Sequence, residues 1–202
     1  MRKDSVNRLF NQKIEGKYLY RVGGKLTFEG IYHHNMTTRS TNENYKAKFM
    51  TYKDVSMSDN FKDFQYFAEW CNTQTGFGDM GFVLDKDIIK PCNKTYSEDV
   101  CVFVPDLMNS FFTFVRQKDR GLPVGVSWCE SEQKFKSYCS QLNGKNKTLG
   151  RFNNPEDAHI AYCVYKEKMA VKLANAYKDT VDSRVTEALL DFKVSNYTKE
   201  KI

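Results

Sequence analysis

No Cys-x-x-Cys pair occurs among the six cysteines, Cys71, Cys92, Cys101, Cys129, Cys139 and Cys163. They lie in strand-like or apolar settings, so neither a zinc site nor a disulfide framework is supported, and free thiols are expected. No apolar stretch follows Met1, Arg2, Lys3, Asp4 and Ser5, which argues against a secretory signal and for a cytoplasmic protein. The longest apolar run, near residues 100–104, falls far short of a membrane span. Internal repeats and low-complexity tracts are also missing, which leaves an ordinary globular chain.

What is present is charge, unevenly placed. The 202 residues carry 31 Lys and Arg against 25 Asp and Glu, a net charge of +6. Residues 1–53 hold eleven bases and four acids, residues 54–106 hold ten acids, and residues 113–178 hold twelve bases and six acids. An acidic centre between basic flanks suits a metal site beside a polyanion. With 14% aromatics, the chain has enough apolar material for two small units.

Residues 1–50 read as a basic N-terminal region, with a hairpin turn at Gly23-Gly24 and a polar loop over residues 33–48. Residues 60–72 read as one helix: Phe61, Phe64, Phe67, Ala68 and Cys71 share an apolar face, and Ser58 or Asp59 can cap it. Phe82, Val83 and Leu84 form a strand that runs into Asp85-Lys86-Asp87. Cys101 to Val104 form a second, and Pro105 opens a helix carrying Leu107, Met108, Phe111 and Phe112. Residues 113–121 read as a linker.

Three strands follow. They cover Gly125 to Trp128, Lys134 to Gln141 and Lys147 to Phe152, with Asn143-Gly144 as a hairpin turn. Asn154-Pro155-Glu156 then starts a helix reaching about Tyr177, with Ala158, Ala161, Tyr162, Tyr165 and Met169 facing inward. A further short helix is expected over residues 182–192. Strand alternation puts Ser127, Cys129, Lys134, Lys136, Tyr138, Ser140, Asn146 and Thr148 on the sheet face away from the helix.

This segment resembles the AP2-type DNA-binding domain. Gly125-Val126, Phe135, Leu149-Gly150, Phe152, Ala158, Ala161 and Tyr162 supply that family's pattern in order. The resemblance implies a three-stranded sheet that enters a major groove. Ser127, Lys134, Lys136, Tyr138, Ser140, Asn146, Lys147, Thr148 and Arg151 would then meet DNA, with Lys145 among the phosphate contacts. The family places Arg and Trp at several of these positions. Ser, Tyr, Asn and Thr stand here instead, which implies positioning more than guanine readout.

The middle segment resembles the HNH type. The carriers are residues 81–88 (GFVLDKDI), Asn93, Tyr96, residues 101–105 (CVFVP) and Asn109. It is similar to the segment that precedes AP2 domains in homing endonucleases of T7-like phages, as are residues 61–70 and 182–190. The resemblance implies a ββα-metal module in which Asp85 and Asn109 hold Mg²⁺ or Mn²⁺ and Asp85, Lys86, Asp87 and Asn109 form the catalytic set. Lys86 stands where the family has its catalytic histidine, and a charged lysine between Asp85 and Asp87 is a poor base. His33 or His34 could supply the base instead; His159 reads as structural, and Asn93 as a turn residue.

The whole reads as an α+β chain: residues 1–50 basic, 51–115 an HNH-like module, 121–178 an AP2-like domain, 179–202 a C-terminal helix and tail. Two functions follow. One is a metal-dependent phage endonuclease that nicks or cuts double-stranded DNA in the host cytoplasm. The other is a catalytically degenerate DNA-binding regulator, or an inhibitor of a host protein.

Overall fold

The computed structural model describes residues 9–112, 121–142 and 144–196. The expected linker, apart from Gly121, lies outside them, as does Asn143 of the expected hairpin turn. Helices and small sheets mix in an α+β chain that divides into two compact units. One runs to Asp106 and includes Thr180–Asp182; the other comprises Leu107–Asp179 and the chain from Ser183.

The first unit opens with two short antiparallel hairpins. β1 (Lys13–Ile14) pairs with β2 (Lys17–Tyr18), and β3 (Arg21–Val22) pairs with β4 (Lys25–Leu26) around Gly23-Gly24, as the sequence suggests. Thr27 then caps α1 (Phe28–Thr41), its side chain accepting from the Gly30 amide. α2 (Glu43–Lys48) follows, capped by Asn42.

The expected loop over residues 33–48 is therefore helical. Its buried stripe includes Glu29, His33, Met36 and Ser40, at helical spacing but mostly polar, so hydrophobic periodicity does not register it. The stripe is held by specific bonds instead. Glu29 Oε1 accepts from the Asn11 amide at 2.7 Å and from Asn72 Nδ2 at 3.0 Å.

The single helix expected over residues 60–72 is two. β5 (Ser56–Met57) leads to α3 (Asp59–Lys62), capped by Ser58, and α4 (Phe64–Thr73) restarts at Asp63. The Asp63 carboxylate accepts from the Gln65 amide at 2.8 Å, a local bond that competes with continued helix. The apolar face survives the break. Phe61, Phe67, Ala68 and Cys71 are fully buried, and Phe64 is half-buried.

β6 (Phe82–Asp85) pairs antiparallel with β8 (Val102–Pro105), while β7 (Thr95–Tyr96) lies parallel to β5. Pro105 closes β8, and α5 (Asp106–Phe112) starts after it. Met36, Val55, Phe61, Phe67, Cys71, Tyr96, Cys101 and Phe103 form one core. Residues before 50 thus share a core with those after it, and no boundary falls there. The boundary lies at Asp106 instead, so the segment 51–115 is divided, with Asn109 in the second unit.

The second unit follows the sequence closely. β9 (Val126–Cys129), β10 (Lys134–Ser140) and β11 (Asn146–Phe152) form an antiparallel sheet with β10 in the centre, packed on α6 (Pro155–Tyr177). Asn154 caps α6 by accepting from the Asp157 amide at 2.8 Å, and α7 (Ser183–Leu190) packs on α6. The buried stripe of α6 runs through Ala158, Tyr162, Lys166, Ala170 and Ala174, while Ala161, Tyr165 and Met169 are only half-buried. Lys166 in the stripe hides it from an apolar pattern. Its ammonium donates to the Phe111 carbonyl at 2.6 Å and sits 3.8 Å above the Phe111 ring. Among the described residues, no helix is long and apolar enough to cross a membrane.

Candidate nucleic-acid interface

Register decides which side chains share the sheet's free face. Lys134 faces Cys129 across the strands, Lys136 faces Ser127, Tyr138 faces Thr148 and Ser140 faces Asn146. Directly opposed residues in an antiparallel pair point the same way. The other face holds Val126, Ser137 and Cys139, all buried. The eight residues assigned to the free face by alternation therefore do share it.

Arg151 joins them through a β-bulge. Ser137 pairs with Gly150 and Tyr138 with Thr148, so Leu149 is the extra residue. Without it, Arg151 and Thr148 would point to opposite faces, because side chains alternate. With it, Arg151 lies opposite Lys136. Two cations thus sit side by side mid-sheet. The Arg151 guanidinium pairs with the Glu132 carboxylate. Glu132 lies in the β9–β10 turn, where strand alternation gives no signal for it.

Lys147 is corrected. It lies opposite the buried Cys139, on the helix side, with its ammonium 4.9 Å from the centroid of the Tyr165 ring. Alternation along β11 already sets it on the opposite face from Asn146 and Thr148, so it is the resemblance, not the strand pattern, that puts it with them. Toward the free face the remaining polar groups are short: Ser140 Oγ donates to Asn146 Oδ1 at 2.8 Å.

The Asp85-Lys86-Asp87 segment is a tightly knit turn. Asp85 Oδ1 accepts from the Asp87 amide at 2.7 Å and the Ile88 amide at 2.8 Å. Burial pushes the Asp85 carboxyl above its ordinary range, although those amides pull it back. Lys86 Nζ donates to both Asp87 carboxylate oxygens at 2.7 Å and to the Asn93 carbonyl at 2.8 Å. Asn93 completes the knot, with Nδ2 donating to the Lys86 carbonyl at 2.9 Å and the Thr95 carbonyl at 2.6 Å. It is a turn residue, as the sequence suggests. Below it, burial pushes the Tyr96 phenol up to about 12 against the pull of Arg39.

This donor set does not fit a hard divalent cation. One Asp85 oxygen is committed to two amides, the residue is 8% exposed, and its neighbouring charge is an ammonium clamped on Asp87. Cations of that class take several converging oxygen ligands. Among the described residues, no three His, Cys, Asp or Glu side chains converge in a way that could hold a metal. Asn109 is a half-buried residue of α5.

Of the two histidines considered as bases, His34 is exposed on α1 and His33 is held by packing. His33 is buried, with Nε2 3.1 Å from the Phe61 carbonyl and its ring against Tyr20, Phe64 and Phe67. Burial holds its imidazole below the ordinary range. His159 bonds through Nδ1 to the Val124 carbonyl at 2.8 Å, a structural role as expected. All six cysteines are free thiols.

Comparison with protein-family models, curated proteins and solved structures finds no match to this chain.

Proposed function

We propose that this protein binds double-stranded DNA through the free face of the β9–β10–β11 sheet, without cutting it. It would act as a DNA-binding regulator related to AP2-type domains. The bulge at Leu149 carries the proposal, because it brings Arg151 onto the face of Lys134, Lys136, Tyr138 and Thr148. A twisted three-stranded ribbon with cations along it suits a major groove. Its short polar residues fit backbone positioning better than guanine readout.

The HNH-like segment contributes a scaffold in this reading. Its acids are spent on a turn, and Lys86 holds a carboxylate rather than accepting a proton.

The test has two arms. Anisotropy of a labelled random-sequence duplex should report salt-dependent binding that is lost when Lys134 and Lys136 both become Gln. Supercoiled plasmid incubated with Mg²⁺ or Mn²⁺ should remain intact. Nicking that disappears in Asp85→Ala would instead establish the endonuclease. Absence of DNA binding at low salt, with recovery of a host protein from nuclease-treated lysate, would favour the inhibitor.

A further inference from the structure

One pair of side chains away from the sheet's free face and from the Asp85 turn has the geometry of a chelate. His159 and Cys163 stand one turn apart on α6. The Val124 carbonyl, 2.8 Å from His159 Nδ1, can only accept, so Nδ1 carries the hydrogen. His159 Nε2 is then a bare lone pair, and it lies 3.4 Å from Cys163 Sγ. His159 also stacks on Tyr162, ring centroids 6.0 Å apart at 17°, which restricts the imidazole from a second direction.

That separation matters. Zinc binds imidazole nitrogen at about 2.0–2.1 Å and thiolate sulfur at about 2.3 Å, and a tetrahedral angle between them spans about 3.5 Å. The pair therefore already holds the bite of one tetrahedral cation. Ligands at i and i+4 on a helix are a recurring way of binding zinc, and a ligand histidine normally donates its other N–H to a carbonyl or carboxylate. Val124 supplies that carbonyl.

We infer that His159 and Cys163 form a two-point site for a thiophilic divalent cation of the zinc class. Water completes the coordination. On binding, the Cys163 thiol loses its proton to solvent and the S–H···N contact is replaced by two metal–ligand bonds. Because His159 ties the start of α6 to Val124 beside β9, the cation reinforces the join between helix and sheet. The site is independent of the DNA reading and of Asp85.

The reduced full chain is titrated with Co²⁺ under anaerobic conditions. A thiolate-to-cobalt charge-transfer band should grow to saturation and be displaced by Zn²⁺. Cys163→Ser should abolish it, His159→Gln should weaken Co²⁺ affinity, and Cys92→Ser, which removes an exposed thiol, should retain both. Zn²⁺ should raise the thermal midpoint of the wild type and not of Cys163→Ser. A missing band, a band that survives Cys163→Ser, or unchanged affinity in His159→Gln overturns the site. Should the variants fail to fold, iodoacetamide labelling of the wild type decides: Zn²⁺ must protect Cys163, and protection confined to other thiols refutes the assignment.

Discussion

Lys86 Nζ lies 2.7 Å from both Oδ1 and Oδ2 of Asp87, so the ammonium is clamped on the residue next to it in sequence. The Lys86 side chain is 9% exposed and that of Asp87 43%. One partner of the pair is therefore inside and the other at the surface. Removing the carboxylate leaves the buried ammonium with the Asn93 carbonyl as its remaining described hydrogen-bond acceptor. Asp87→Ala should cost about 1–2 kcal/mol, discounted from a fully buried pair because Asp87 meets solvent. Chemical denaturation checks the cost, and duplex affinity should stay at the wild-type value. A large loss of affinity without loss of stability would return Asp87 to the functional site.

Gly125 offers a sharper test of the second unit. Its φ is +79°, and a Cβ built there would lie 2.2 Å from Cδ2 of Tyr162. Tyr162 is itself buried against the sheet at 6% exposure, so the ring has little room to retreat. Gly125→Ala combines backbone strain with overpacking and should cost about 2–4 kcal/mol. Gly144→Ala shares the positive φ but meets nothing within 4 Å, and should cost about 1 kcal/mol. The difference between the two midpoints isolates the steric part.

These two units were not equally legible. β9 to β11 and α6 follow from alternation and from Asn154-Pro155, signals that act within a few residues of where they stand. α1 does not, because its inner stripe is Glu29, His33 and Ser40 as much as Met36, and only partners distant in sequence make those residues core. Arg151 stands on the free face as the resemblance implies, although parity counted from Thr148 denies it that face, whereas Lys147 stands on the other. Parity along a strand is readable, but a bulge reverses it, and the bulge is visible only in the pairing. Residue types alone make Asp85-Lys86-Asp87 look like a site; the bonds that Asp85 Oδ1 and both Asp87 oxygens already hold make it a turn.

His33 gives the fold a pH dependence whose sign can be worked out. Burial lowers its pKa from the ordinary 6.5, outweighing the Phe61 carbonyl, which favours the charged form. As pH falls below 6.5, the unfolded chain takes up a proton that the folded chain does not. Stability supplied by neutral His33 is present above that pH and is lost as pH falls toward the folded value. His33→Gln keeps a donor for Phe61 and removes the titration, so its thermal midpoint should vary less between about pH 6.5 and 5. Asp85, with its pKa raised by burial, acts in the opposite sense at the acid end. The difference between wild type and His33→Gln is therefore the quantity to read.

The bulge makes the last prediction, which separates two cations four positions apart on β11. Arg151 shares the free face with Lys136, whereas Lys147 sits over the Tyr165 ring on the helix side. If the free face meets phosphates, each contact releases counterions, and the slope of log affinity against log salt falls by about one for every contact removed. Lys136→Gln and Arg151→Gln should each lower the slope by about that amount, roughly equally across unrelated duplex sequences. The Arg151 effect should be the smaller of the two, because the guanidinium must first leave Glu132. Glu132→Gln frees it and should raise affinity. Lys147→Gln should leave the slope unchanged; if it instead matches Lys136→Gln, the helix side of the sheet, and not the free face, is what meets DNA.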